Sequence, residues 1–215
     1  MVVMETYEWA DMIDDPDKVA MLADPTNVYS QSAGFAMGRA IDDEIISAAT
    51  GTSLTGKSGA TSTALPSAQT IAGGSADLTI AKLIQTRKIF SEASVDPSEQ
   101  LHIVVSPAQI ESLLGTTQVT SSDFNTIRAL TTGSINSYMG MTFHVSTRLA
   151  KSGNNRTCFA FAESGITLAV GRDVMAKIDE RPDKSYSTQV FYCATFGATR
   201  MEEAKVVSII CDESA

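Results

Sequence analysis

The chain has 215 residues, with 16 Lys plus Arg against 25 Asp plus Glu and a formal net charge of −9. That balance lacks the cationic excess that phosphate neutralisation needs, which argues against a dedicated DNA or RNA binder. A content of 43% hydrophobic and 19% charged residues excludes wholesale disorder, and apolar runs no longer than five residues, such as Cys158 to Ala162, exclude an obvious membrane-spanning helix.

The charge is unevenly placed. The first fifty residues carry ten acids and only Lys18 and Arg39, a net −8, which leaves −1 for the remainder. No basic segment followed by an apolar stretch opens the chain, so no secretory signal is expected. Three cysteines (Cys158, Cys193 and Cys211) without close spacing fit a reducing compartment. The stretch Asp11-Met12-Ile13-Asp14-Asp15-Pro16-Asp17 lacks the alternation, glycine and terminal Glu of a calcium loop. A solvated or interface-facing acidic surface is the expectation there.

A long helix is expected over residues 28–49, with Ala33, Met37, Ile41, Ile45 and Ala48 on one stripe and Gly51 as its stop. Residues 51–75 turn to Gly, Ser, Thr and Ala, which reads as a long irregular loop. A second helix follows, capped by Asp77, with Ile80, Leu83, Ile84 and Phe90 as core candidates. Residues 101–105 read as a buried strand. Ser106 as N-cap, Pro107 at the first helical position and Gln109 closing a capping box then start a helix, which Gly115 ends.

A further short helix is expected over residues 122–130. From there strands dominate: residues 141–145, 158–162, 166–170, 186–194 and 206–211. They follow one another through turns, so mostly antiparallel sheets and an α+β class are expected.

Gly51-Thr52-Ser53-Leu54-Thr55-Gly56-Lys57-Ser58 fits the phosphate-loop pattern and would make the chain an NTPase. That loop needs a strand before it and a helix starting at its lysine. Here a long helix precedes it and Gly59-Ala60-Thr61-Ser62-Thr63 follows, so the match is taken as a flexible loop. His102 and His144 fall in separate strands with no Cys or His at ligand spacing, and are read as ordinary strand residues. Asn155-Arg156-Thr157 is a formal glycosylation sequon, silent in a reducing compartment. No serine sits in a nucleophile elbow. No catalytic residue, cofactor or metal is expected.

Several strings together resemble the major capsid protein family of tailed bacteriophages, in a podovirus-type branch. They are Trp9-Ala10-Asp11 with Ile13-Asp14, Gly38-Arg39-Ala40-Ile41-Asp42-Asp43-Glu44-Ile45-Ile46 and Val104-Val105-Ser106-Pro107-Ala108-Gln109. Asp179-Glu180-Arg181-Pro182-Asp183-Lys184-Ser185-Tyr186 and Gly197-Ala198-Thr199-Arg200-Met201-Glu202-Glu203 complete the set. Order and spacing hold over essentially the whole chain.

The resemblance implies the capsid fold shared with encapsulins. Residues 1–75 and 170–202 would form a peripheral domain built on the long spine helix, and 76–169 and 203–215 an axial domain of mixed sheet plus helices. It implies a non-enzymatic subunit that assembles with itself into hexamers and pentamers of an icosahedral shell around dsDNA. Scaffolding and portal proteins would be its partners. Assembly would take place in the host cytoplasm, with no membrane, and the product would be the virion. An encapsulin-like compartment shell is the alternative within the fold. Family members carry an N-terminal arm and an extended loop ahead of the point where Met1 stands, segments this sequence does not include, so the resemblance implies either part of a longer protein or one that starts late; were those segments basic, they would pair with the acidic block. Charged residues that could set register between subunits are Arg39, Asp42, Asp43, Arg181, Asp183, Lys184, Arg200, Glu202 and Glu203.

Overall fold

The computed structural model describes residues 1–14, 26–115 and 137–214. Two compact units share the chain: Ile46–Thr167 with Thr199–Ala215 and Met1 in the larger, Val2–Ile45 with Leu168–Ala198 in the smaller. Residues 51–75 therefore group with the larger unit.

In the smaller unit, β1 (Glu5–Ile13), β11 (Ser187–Arg200) and β10 (Ile166–Arg181) form a three-stranded sheet in the order β1-β11-β10. β1 and β11 are antiparallel, in a register that sets Tyr7 opposite Ala194 and Trp9 opposite Tyr192. Tyr7, Trp9, Ala194 and Phe196 then share a cluster with Met37 of α1 (Thr26–Thr50). The rings of Tyr7 and Phe196 stack with centroids 4.5 Å apart. Gly197 lies where a Cβ would stand 2.1 Å from the Val3 carbonyl oxygen, so the chain leading into β1 passes this point only because no side chain is there. The alternation of Tyr7, Trp9 and Ile13 is a strand signal that the acidic composition of this stretch obscured.

The α1 stripe is as expected through Ala33 and Met37, both buried, with Ile41, Ile45 and Ala48 half-buried. Its last turns bury a second face, Ile46 and Ala49, which belong to the core of the larger unit.

In the larger unit seven strands run β4-β12-β9-β5-β7-β6, with β8 on β9. Their ranges are β4 Thr70–Ile71, β5 Leu101–Val105, β6 Ser137–Tyr138, β7 Met141–Val145, β8 Lys151–Ser152, β9 Asn155–Ala162 and β12 Val206–Asp212. Leu101, Ile103 and Val105 alternate into the core with Leu83 and Phe90 of α2 (Ile80–Glu92) and Ile110 and Leu113 of α3 (Pro107–Gly115). The expected strand-to-helix unit forms, with Gln109 Oε1 accepting from the Ser106 amide at 3.1 Å.

Three expectations are corrected. Residues 51–75 are not an irregular loop: β2 (Thr52–Thr55) and β3 (Thr61–Ala64) pair antiparallel as a hairpin, and a short 3₁₀ turn leads into β4. Thr and Ser replaced the large apolars whose alternation marks a strand. Thr79, not Asp77, caps α2, with its side chain accepting from the Lys82 amide. The sheets are largely antiparallel, as expected; the parallel pairs are β5–β7 and β4–β12, and between β5 and β7 the chain includes α3 and crosses over rather than turning back. Ile84, expected in the core, is exposed. The helix expected over residues 122–130 lies outside the described residues.

Met37→Ala should destabilise the fold by about 2–5 kcal/mol through the cavity it leaves. Phe35→Ala, at a side chain 68% exposed on the same helix, should be within about 0.5 kcal/mol of neutral. Urea unfolding of the two variants checks the difference, and equal costs would mean the buried face of α1 is misassigned.

Candidate functional site

The phosphate-loop match has the wrong backbone for a nucleotide. Gly51 ends α1, its amide donating to the Ser47 carbonyl at 2.8 Å, and a Cβ on it would stand 2.6 Å from that oxygen. Thr52–Thr55 are strand. Gly56 and Gly59 then turn the hairpin at φ +85° and +66°. Lys57 and Ser58 therefore occupy a hairpin turn, and no helix starts at the lysine, so the phosphate-loop NTPase reading is withdrawn.

The nine charged candidates separate by environment. Arg200 is withdrawn from the surface at 4% exposure. Its Nη1 donates to the carbonyls of Ala48 (3.2 Å), Ala49 (3.3 Å) and Gly51, and its Nη2 to Thr63 of β3 at 3.1 Å. A cation on the last carbonyls of a helix satisfies acceptors that the helix leaves unpaired and complements its dipole. Burial lowers the arginine's pKa from its ordinary value, and Glu203 opposes that shift.

Arg181, Asp183 and Lys184 shape the turn from β10 to β11. Arg181 grips Asp183 with two bonds of 2.8 Å and reaches Gln189 at 3.0 Å. That grip holds the Asp183 carboxyl well down, to about 2. Ser185 and Tyr186 are both left-handed, at φ 52° and 61°, and Tyr186 is 62% exposed. Two such residues in succession are strained, and the bond from the Tyr186 amide to the Arg181 carbonyl helps hold them. Arg39, Asp42, Lys184 and Glu202 are exposed, while Asp43 and Glu203 are half-buried. Glu202 pairs with Lys205 at 3.5 Å, and Lys205 also reaches Glu99 at 3.0 Å and Ser164 at 2.6 Å.

Sequence reasoning missed a polar hub at the end of β12. Glu213 accepts from Arg156 Nε at 2.8 Å, from Lys151, and from Gln109 Nε2 at 3.3 Å. Gln109 also donates to Asp77 Oδ1 at 3.1 Å, and the Ser112 hydroxyl donates to Oδ2 of the same carboxylate. The hydrogen bonds from Arg156 and then Lys151 hold the Glu213 carboxyl down at about 2. The partners lie 57 and 62 residues away in sequence, so no local pattern signals them.

The two histidines, read as unrelated, meet. His102 Nδ1 and His144 Nε2 are 3.1 Å apart on β5 and β7. No group of three His, Cys, Asp or Glu able to hold a metal occurs among the described residues. The cysteines are free and buried, with the Cys158 thiol pushed up by its hydrogen bond to Cys211 and by burial. No described helix is long and apolar enough to cross a membrane.

A long helix over a three-stranded sheet, together with a seven-stranded sheet whose strands come from distant parts of the chain, defines the capsid fold of tailed-phage shells. The model of the phage capsid protein family matches residues 1–213, and the chain belongs to that family. No curated protein sequence matches the chain. The fold is similar to a structure from Mycobacterium phage Che8 at 20% identity and TM-score 0.68, covering 95% of this chain and 70% of that one. The capsid of Cyanophage Pam1 matches at 15% identity and TM-score 0.73, over 100% of this chain and 76% of that one. The capsid of Ralstonia phage GP4 matches at 11% identity and TM-score 0.73, over 98% and 74%. The protein is a phage capsid protein, a structural component of the virion.

Arg200→Ala should cost about 3–5 kcal/mol in urea unfolding, because several carbonyls lose one charged donor. A cost below about 1 kcal/mol would mean that the helix end does not need the arginine. Glu213 titrates lower in the fold than its ordinary 4.5, so its contribution to stability is present above about pH 4.5 and fades as pH falls toward about 2. Glu213→Gln should accordingly be less stable at neutral pH, and its urea midpoint should fall less than the parent's between about pH 5 and about pH 3.

Proposed function

We propose that the protein is the repeating shell subunit of a tailed-phage head, arranged in hexamers and pentamers around dsDNA that it encloses without reading sequence. The family match over residues 1–213 is the observation that carries this reading. The larger unit would serve as the axial domain and the smaller unit as the peripheral domain, with α1 as its spine helix. Scaffolding and portal proteins would be its partners during assembly in the host cytoplasm. A net charge of −9 suits a container for DNA, since a strongly basic wall would hold the phosphates and impede the genome's movement.

Contacts between copies would use Arg39, Asp42, Lys184 and Glu202 together with the turn that the Arg181–Asp183 pair shapes. Asp43 and Glu203, half-buried, would play a lesser part. Arg200 leaves the set because its guanidinium is spent on helix carbonyls. Exposed charges set register and association rate more than affinity, at about 0–1 kcal/mol per pair.

Assembly with the other head components should give closed shells with five- and six-fold capsomers in electron micrographs. Lys184→Glu should lower shell yield at low salt and recover as salt screens the repulsion, with the subunit's circular dichroism unchanged. Full yield at every salt concentration would remove Lys184 from the contact.

A further inference from the structure

The parallel pairing of β5 and β7 sets Val104 opposite His144 and His102 opposite Thr142, so both rings lie on one face of the sheet. His102 Nδ1 and His144 Nε2 stand 3.1 Å apart with ring centroids separated by 5.2 Å, the geometry of one hydrogen bond between two imidazoles. Such a bond needs one nitrogen protonated and the other bare. The neutral pair meets that need, and so does the pair carrying a single charge. The doubly charged pair cannot, because two N–H groups would then point at each other.

The surroundings offer little relief. His102 is half-buried, and the Phe161 ring of β9 packs beside it with centroids 5.3 Å apart. From β7 the adjacent groups are uncharged Thr142 and His144 itself. Among the described residues, the one acid whose charge reaches His102 is Glu163, in the turn after β9, and it favours protonation. Burial and His144 act against protonation and outweigh it, leaving His102 below the ordinary histidine value.

We propose that His102 and His144 form a pH-sensitive latch between β5 and β7, closed while the pair holds at most one charge and released when both rings protonate. The latch lies at the end of the sheet where β7 and β6 are the last two strands. Its release loosens that hairpin, while Met141 and Phe143 stay anchored in the core. The sign follows from the lowered value: the stabilisation is complete above the ordinary histidine range near pH 6.5 and is lost as pH falls below it.

The test is imidazole NMR titration together with thermal melts of the full chain and of His144→Gln and His102→Gln, between about pH 7.5 and about pH 5. Two coupled steps are expected, the second proton binding at least tenfold more weakly than to an ordinary histidine, which is one pKa unit. The parent should lose several degrees of Tm across this window and each variant less than half as much. Amide exchange over residues 101–105 and 141–145, corrected for intrinsic rate, should rise in acid only in the parent. Independent titration of the two rings at ordinary midpoints, or an undiminished acid slope in the variants, would overturn the latch. Because His144 is exposed, His144→Gln carries the test alone should His102→Gln fail to fold. The Glu213 hub titrates below this window and does not contribute to the slope.

Discussion

One buried guanidinium organises the turning point of the chain. Arg200, at the end of β11, collects carbonyls from the last turn of α1, from Gly51 just beyond it, and from β3 of the hairpin that follows. A long helix otherwise ends in unpaired acceptors, and burying them without a donor costs more than the helix gains from its final turn. With the arginine in place, helix end, hairpin and strand end become one rigid corner. Ile46 and Ala49 can then enter the core of the larger unit beside it.

That corner explains why the most tempting motif in the chain is inert. The glycines that mimic a phosphate loop serve the helix stop and the hairpin turn, and the Thr-rich segments on either side of that turn pair with each other. The same economy applies to the charged set. Arg181 and Asp183 shape a turn and Arg200 caps a helix, so part of the charge that the sequence displays is spent inside the fold. A shell subunit is selected for the shape it repeats, and much of its polar chemistry goes into fixing that shape.

Legibility in the sequence tracked how local each signal was. The β5–α3 unit and α1 were readable because capping and periodicity operate within a few residues. The β2–β3 hairpin was hidden because Thr and Ser took the place of large apolars, and the second half of β10 because Gly171-Arg172-Asp173 interrupt the alternation of Leu168, Val170, Val174 and Ile178 and read as a turn. Arg200 was visible as a residue but not as a cap, since the acceptors of its hydrogen bonds lie 137 to 152 residues earlier. The histidine pair was invisible for the same reason. Only the parallel register of β5 and β7 brings the two rings together, and a crossover gives no sequence cue to its register.

The central claim, that the chain is the repeated unit of a virion shell, is tested most directly by its copy number in purified particles. Quantitative mass spectrometry of virions, normalised to packaged DNA, should find it the most abundant protein, in large excess over any portal or tail component. A handful of copies per genome, or absence from intact particles, would contradict the account.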